Sequence, residues 1–252
     1  MTALAISATA LGLILVSILG GLVLRARVPE AHLTGDSKEV IRLATALIGT
    51  MAALVLALLF AATRGGFETT NSHISRLTAG VAELDHLLKD YGPESLALRR
   101  ALRDDVGFMI DRIWSEATPV PAEMLRPVAP EQTVLYKLRQ LAPGNPLQAA
   151  LQARALQVTN ELEQIRLVLF TQPPDSLSKP FMIVLVLWLM FIFASFSMSA
   201  KANSTLVVVL VVCALSAASA IYLILELEQP FDGLMQISSE PLRRSLVPLP
   251  AP

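Results

Sequence analysis

The stretch from Ile41 to Tyr91 constrains the fold more than any other part of the sequence. Its first part, Ile41–Thr63, is almost entirely apolar and is long enough for the roughly 20 helical residues that cross a bilayer. Arg42 and Arg64 lie at its two ends, where the membrane interfaces are expected. The stretch therefore predicts a membrane-spanning helix.

Small residues recur at every fourth position within this span. Residues four apart are neighbours on a helix surface, so we predict one face of small side chains that lines a pore or packs against a partner helix. This face consists of Thr45, Gly49, Ala53, Ala57 and Ala61. Leu56 and Phe60 form its adjacent edge. Helix packing is the commoner role of small residues in membranes, because they let backbones approach closely.

A second apolar stripe begins after Gly65-Gly66, where the chain becomes polar. Its members alternate steps of three and four and are Ile74, Leu77, Val81, Leu84, Leu88 and Tyr91. This spacing is typical of a helix that packs against partner helices. The spanning helix is therefore expected to continue, with a hinge at the glycines, into an amphipathic helix outside the membrane.

Composition places the whole chain among membrane proteins. Of its residues 54% are hydrophobic and 16% are charged, against roughly 45–50% and 25% in soluble domains. The apolar excess lies in four runs, which predict spans at about 3–24, 41–63, 181–200 and 206–225. The predicted fold is all-α, with four transmembrane helices. A net charge of −1 gives no basic surface for nucleic acid.

The spans divide the chain into four parts. Residues 1–64 form a first transmembrane hairpin, 65–178 a helical extramembrane module, 179–228 a second hairpin, and 229–252 a C-terminal turn and tail. Within the module, helices are predicted over Pro93–Trp114, Thr133–Leu141 and Leu147–Phe170, with a proline-rich loop at Ser115–Gln132. The proline-rich end of the tail is predicted to be disordered. The single cysteine, Cys213, is expected to be buried.

No enzyme constellation is present in the sequence. The three histidines are scattered without metal-ligand spacing, and there is no phosphate loop or nucleophile elbow. We therefore expect no catalytic activity, no cofactor and no metal. The spans contain no central charge, which disfavours transport through an intramembrane charge relay. A passive path lined by small, hydroxyl and apolar groups stays open.

Charged residues gather where the second and fourth spans end. Glu226 and Glu228 lie near the C-terminus of the fourth span, where the helix dipole disfavours anions. Either Arg64 compensates them at the same membrane face or both reach water. The residues considered for a pore mouth or interfacial role are Arg64, Glu68, Glu226 and Glu228.

Several stretches share residues with a known family. They are Leu54–Phe67 with residues 68–72, Tyr91–Glu94, Ser195-Phe196, Leu225–Gly233 and Ile237–Leu242. Together they resemble the bacterial bestrophin-like domain family over nearly the whole chain. The turn after the fourth span resembles that of true bestrophins, in which a glutamate precedes Pro-Phe-Gly. Its residues here are Glu226, Pro230, Phe231 and Gly233, with Asp232 inserted before the glycine.

The resemblance implies a homo-oligomer, pentameric in bestrophins, in the bacterial inner membrane. It implies a channel for small inorganic ions whose second span forms a narrow neck. No carboxylate cluster for a calcium clasp is evident, so calcium gating is not carried over. The alternative is a non-conducting membrane scaffold whose module binds another protein. Bestrophins place the module in the cytoplasm, whereas the positive charges of the first short loop place that loop there instead.

Overall fold

The computed structural model describes residues 3–27, 36–114, 133–171, 179–199 and 203–249. The helices within these residues are α1 (Ala3–Arg27), α2 (Asp36–Tyr91), a 3-10 turn (Pro93–Ser95), α3 (Leu96–Trp114), α4 (Val134–Gln140), α5 (Pro146–Thr171), α6 (Lys179–Ser199), α7 (Ser204–Leu227) and α8 (Glu240–Ser245). The all-α class is therefore confirmed. The loop predicted at Ser115–Gln132 lies outside the described residues.

Four of these helices are long and apolar enough to cross a membrane. They are α1, α2, α6 and α7, and the most apolar part of each has a mean hydropathy between 2.3 and 2.7. These are the four spans expected from the sequence. The fourth extends to Leu227, so Glu226 belongs to its last turn.

α2 is one uninterrupted helix of 56 residues. It passes through Gly65-Gly66 without a break in its helical assignment, so the glycines do not divide it into two helices. A glycine costs a helix about 1 kcal/mol relative to alanine. The long helical segments on both sides of the two glycines keep the helix continuous despite this cost.

The chain divides into two compact units. One comprises Met1–Phe67 and Pro174–Gln229, and the other comprises Glu68–Pro173 and Pro230–Pro252. The first contains the four apolar helical stretches and is called the membrane unit below. The second is called the helical module. The residues after Gln229 belong to the module.

In the membrane unit, α1 packs most extensively against α6 and next against α7. Gly21 lies where a methyl group would meet the Oγ of Ser197 and would lie 2.6 Å from the carbonyl oxygen of Ala194. Arg25 donates a 3.0 Å hydrogen bond from Nη1 to the carbonyl oxygen of Met198. That carbonyl lies in the last turn of α6, where carbonyl oxygens lack helical partners.

The helical module is built around the amphipathic stripe of α2. Its six members, from Ile74 to Tyr91, are all at most 4% exposed, which confirms the stripe predicted from the spacing. Leu77, Val81, Leu84 and Leu88 pack with apolar side chains of α3, α4 and α5. Gly80 allows a close approach to α5, because a methyl group there would lie 2.7 Å from Leu162 Cδ2.

The C-terminal segment is docked on this module, so the expectation of a disordered tail is wrong as far as Leu249. Leu242 is fully buried and Leu249 is 2% exposed. Arg99 and Arg103 of α3 donate hydrogen bonds to the carbonyl oxygens of Pro248 (3.1 Å) and Leu249 (2.7 Å). Two apolar anchors and two arginines therefore hold a segment whose prolines alone suggested disorder.

Cys213 is exposed on α7, so its predicted burial is also wrong. The error has a simple cause. In a span whose residues are nearly all apolar, composition does not reveal which side of the helix faces the other helices of its own chain.

Candidate pore-lining surface and the turn after the fourth span

The side of α2 that faces its own membrane unit is now defined. Thr45, Ala52, Leu59 and Thr63 are each less than 10% exposed, and Leu56 packs against the same apolar cluster. The hydroxyl groups of Thr45, Thr50 and Thr63 in this span donate to carbonyl oxygens of the same helix, as Thr45 does to Ile41 over 2.8 Å. They are thereby satisfied within the helix.

The small residues predicted as one face do not share one face. Thr45 is 4% exposed, Gly49 is half-buried, and Ala53, Ala57 and Ala61 are exposed. Four residues exceed one turn of 3.6 residues, so each step of four rotates about 40° around the helix. Over four such steps the series winds from the packed side of α2 to its open side.

The open side of α2 consists of two flanks with different side chains. At 3.6 residues per turn, one exposed set, called the small flank, contains Ala46, Thr50, Ala53, Ala57, Phe60 and Ala61. The adjacent set, called the aliphatic flank, contains Leu47, Met51, Leu54 and Leu58, which are 51–63% exposed. Arg42 and Arg64 are exposed at the two ends of the small flank. No charged residue lies between them.

α2 is the span least covered by its own chain. Only 11% of the residues in its most apolar window are buried, compared with 22–28% in the other three spans. A single copy therefore leaves most of this helix to lipid, to other copies or to a water-filled path.

The end of the fourth span carries a buried carboxylate. Glu226 is 5% exposed, and a side-chain hydrogen bond joins it to Tyr222 one turn earlier. Glu228 is half-buried and Glu68 is exposed. The ion pair between Glu226 and Arg64 stays a prediction.

The turn after this span is braced by α3. Gly233 has a φ of 88°, which favours glycine. The Phe231 ring meets Trp114 edge to face, with centroids 5.4 Å apart. The Nε1–H of Trp114 donates a 2.7 Å hydrogen bond to the carbonyl oxygen of Ile237. Sequence reasoning missed Trp114, although an indole at a helix end generally needs an acceptor.

Two further observations concern possible ligand-binding sites. Among the described residues, no group of three or more His, Cys, Asp or Glu side chains is placed to hold a metal ion. In the module, a small cavity of about 30 Å³ lies among α2, α3 and α5, and its lining includes Leu84, Val106 and Arg166.

These features define a multi-pass helical membrane protein whose second span is open to its surroundings. The Bestrophin-like domain model matches residues 11–242, and the chain belongs to that family. The fold is similar to a crystal structure of a mutated bacterial bestrophin homologue from Klebsiella pneumoniae, with a TM-score of 0.64 and 16% identity. That match covers 96% of this chain and 97% of the homologue. A comparison with curated protein sequences finds no match.

Proposed function

We propose that this protein is an oligomeric bestrophin-like ion channel of the bacterial inner membrane. Its pore would be lined by the small flank of α2, and small inorganic ions would pass through it. The observation that carries the proposal is the exposure of this flank in a span of which only 11% is buried by its own chain.

The two flanks of α2 suit different surroundings in a ring of copies. Cyclic assemblies repeat one surface around an axis, so α2 helices that meet at the axis would present the same flank to the path. Small side chains at positions such as Ala53 and Ala57 leave room for ions. The leucines of the aliphatic flank suit lipid or a neighbouring copy. Family membership supports an oligomer, and the resemblance to bestrophins suggests five copies.

The neck would be apolar and would lie near Phe60. No charged side chain lies between Arg42 and Arg64, and the Thr50 hydroxyl is bonded to Leu47 over 2.7 Å. A ring of apolar side chains conducts only when it is wetted. Charge selection would then fall to the mouths, with Arg64, Glu68, Glu226 and Glu228 as the residues involved.

The test measures the ionic current that the purified, assembled protein carries across planar bilayers under a salt gradient. Phe60→Ser and Ala57→Ser should ease wetting and raise the resting conductance over wild type. Leu54→Ser is the matched control, since Leu54 is 61% exposed on the aliphatic flank and its change should leave conductance unaltered. An equal rise in the control would remove the small flank as the lining. Absence of current from all assembled forms would favour the scaffold.

A further inference from the structure

The residues after the fourth span form a closed loop from Pro230 to Ile237. The N–H of Ile237 donates a 2.7 Å hydrogen bond to the carbonyl oxygen of Pro230. Phe231 and Ile237, at the base of the loop, are both held by Trp114. The loop is therefore fixed at its base by three separate contacts.

The tip of this loop is apolar and exposed. Leu234 is 85% exposed, the highest value among the exposed large apolar side chains of the described residues, and Met235 is 43% exposed. Ile237, at the base, is only 6% exposed. Moving a leucine side chain from water into an apolar environment is favourable, in proportion to the apolar surface removed from water. The loop thus presents two neighbouring apolar side chains, and their transfer from water to an apolar environment outside the chain would be favourable.

The length of the chain places the base of the loop close to the membrane. Pro230 follows Leu227, the last residue of α7, by three residues. Three residues span at most about 11 Å even when fully extended. The headgroup layer on each side of the hydrocarbon core is roughly 5–8 Å thick. The base of the loop can therefore lie no farther than about 11 Å from the end of the fourth span, a distance comparable to the thickness of the headgroup layer.

We propose that Leu234 and Met235 anchor this loop in the bilayer interface, at the boundary between headgroups and acyl chains. The partner is the apolar part of the lipid, because the tip carries one charged residue, Asp232, and an acidic side chain is not attracted to anionic headgroups. Apolar side chains of interfacial segments bury about 5–10 Å into this boundary. The anchor is independent of whether the protein conducts ions.

The experiment places one fluorescent label on the full-length protein in phosphatidylcholine bilayers. Cys213→Ala removes the single cysteine, which is exposed on α7, and Leu234→Cys then provides the labelling site. Lipids with brominated acyl chains should quench this label strongly, whereas aqueous iodide should quench it weakly. Adding anionic lipid should leave both results unchanged.

Val247→Cys in the same background is the matched control. Val247 is 78% exposed and belongs to the same C-terminal segment, but it lies twenty residues beyond the span and is not tied to the interface. Its label should be quenched by iodide and spared by brominated lipid. Equal quenching of the two labels by either agent would overturn the anchor. Disulfide cross-linking between copies through Leu234→Cys would also overturn it, because the loop would then contact another subunit.

Discussion

Arg103 on α3 donates a 2.7 Å hydrogen bond from Nη1 to the carbonyl oxygen of Leu249, 146 residues later in the chain. It belongs to a series along α3. Trp114 reaches the carbonyl of Ile237, and Arg99 reaches that of Pro248. The C-terminal segment therefore runs antiparallel to α3. The carbonyl oxygens of Ile237, Pro248 and Leu249 are satisfied by these α3 side chains.

Removing the Arg103 guanidinium should loosen the C-terminal segment. Arg103→Gln leaves the carbonyl of Leu249 without its charged donor, and hydrogen bonds to charged groups contribute about 1.5–3 kcal/mol. Amide hydrogen exchange over residues 240–249 should become roughly 10- to 100-fold faster. Arg100→Gln is the control, because Arg100 is exposed on the same helix. Unchanged exchange in Arg103→Gln would show that Leu242 and Leu249 hold the segment alone.

The ion pair between Asp85 and Arg99 should be essential to the module. The Arg99 Nε lies 2.6 Å from Asp85 Oδ1, and the two side chains are 14% and 5% exposed. Asp85→Asn leaves the guanidinium largely buried without its anion, a loss that typically costs about 3–5 kcal/mol. Combining it with Arg99→Gln should cost less than the sum of the single changes. Thermal unfolding of the four forms measures this coupling, and additive effects would show that the pair does not act as a unit.

Most of the fold was predictable because two features of the sequence are strong signals of structure. Four apolar runs give four spans, and the spacing from Ile74 to Tyr91 gives the buried stripe of the module. The docked C-terminal segment was not predictable. Leu242 and Leu249 are its two buried anchors, and their spacing of seven residues is too weak a helical signal in a stretch that also contains Pro241 and Pro248. Their partner, α3, is more than 120 residues away.

The site was predictable only in part, and the reason is the helical period. Repeats of four and of 3.6 residues agree over one or two turns and diverge over a span. Thr45 and Ala61 thus fall on different sides of α2, although both belong to the same series of four. A wheel at 3.6 residues per turn separates the small flank from the aliphatic flank. Which side of the helix faces its own chain depends on tertiary packing, which no sequence period records.

Gly21 should be intolerant of any side chain, unlike its neighbour Gly20. A methyl group on Gly21 would meet backbone and side-chain atoms of α6, whereas one on Gly20 would have no heavy atom within 4 Å. Overpacking of this kind costs about 1–3 kcal/mol. Gly21→Ala should lower the thermal midpoint in detergent, whereas Gly20→Ala should leave it unchanged or raise it, because alanine favours a helix more than glycine does. Equal midpoints for the two variants would contradict the close crossing of α1 and α6.

The buried carboxylate of Glu226 should depend on a cationic partner at the same membrane face, which we predict is Arg64. Arg64→Gln should lower the thermal stability of the protein because it leaves the buried carboxylate of Glu226 without its cation, and Glu226→Gln should lower it by removing the ion pair. The exchange Glu226→Arg with Arg64→Glu should restore part of the loss. The comparison measures oligomer melting in detergent. If the exchange is as unstable as the sum of the single changes Glu226→Arg and Arg64→Glu, the two residues do not form a pair.

The final prediction concerns assembly through the small flank. If copies of α2 meet around an axis, Ala53 and Ala57 lie where helices approach, and a leucine at either position would push neighbouring helices apart. Ala53→Leu and Ala57→Leu should therefore reduce the fraction of intact oligomer, measured by light scattering or native mass spectrometry of the purified protein. Leu54→Ala is the control on the aliphatic flank, because it removes volume from a side chain that is 61% exposed and should leave assembly nearly intact. If Leu54→Ala disrupts the oligomer while both leucine substitutions leave it whole, the aliphatic flank is the subunit contact and the small flank is not.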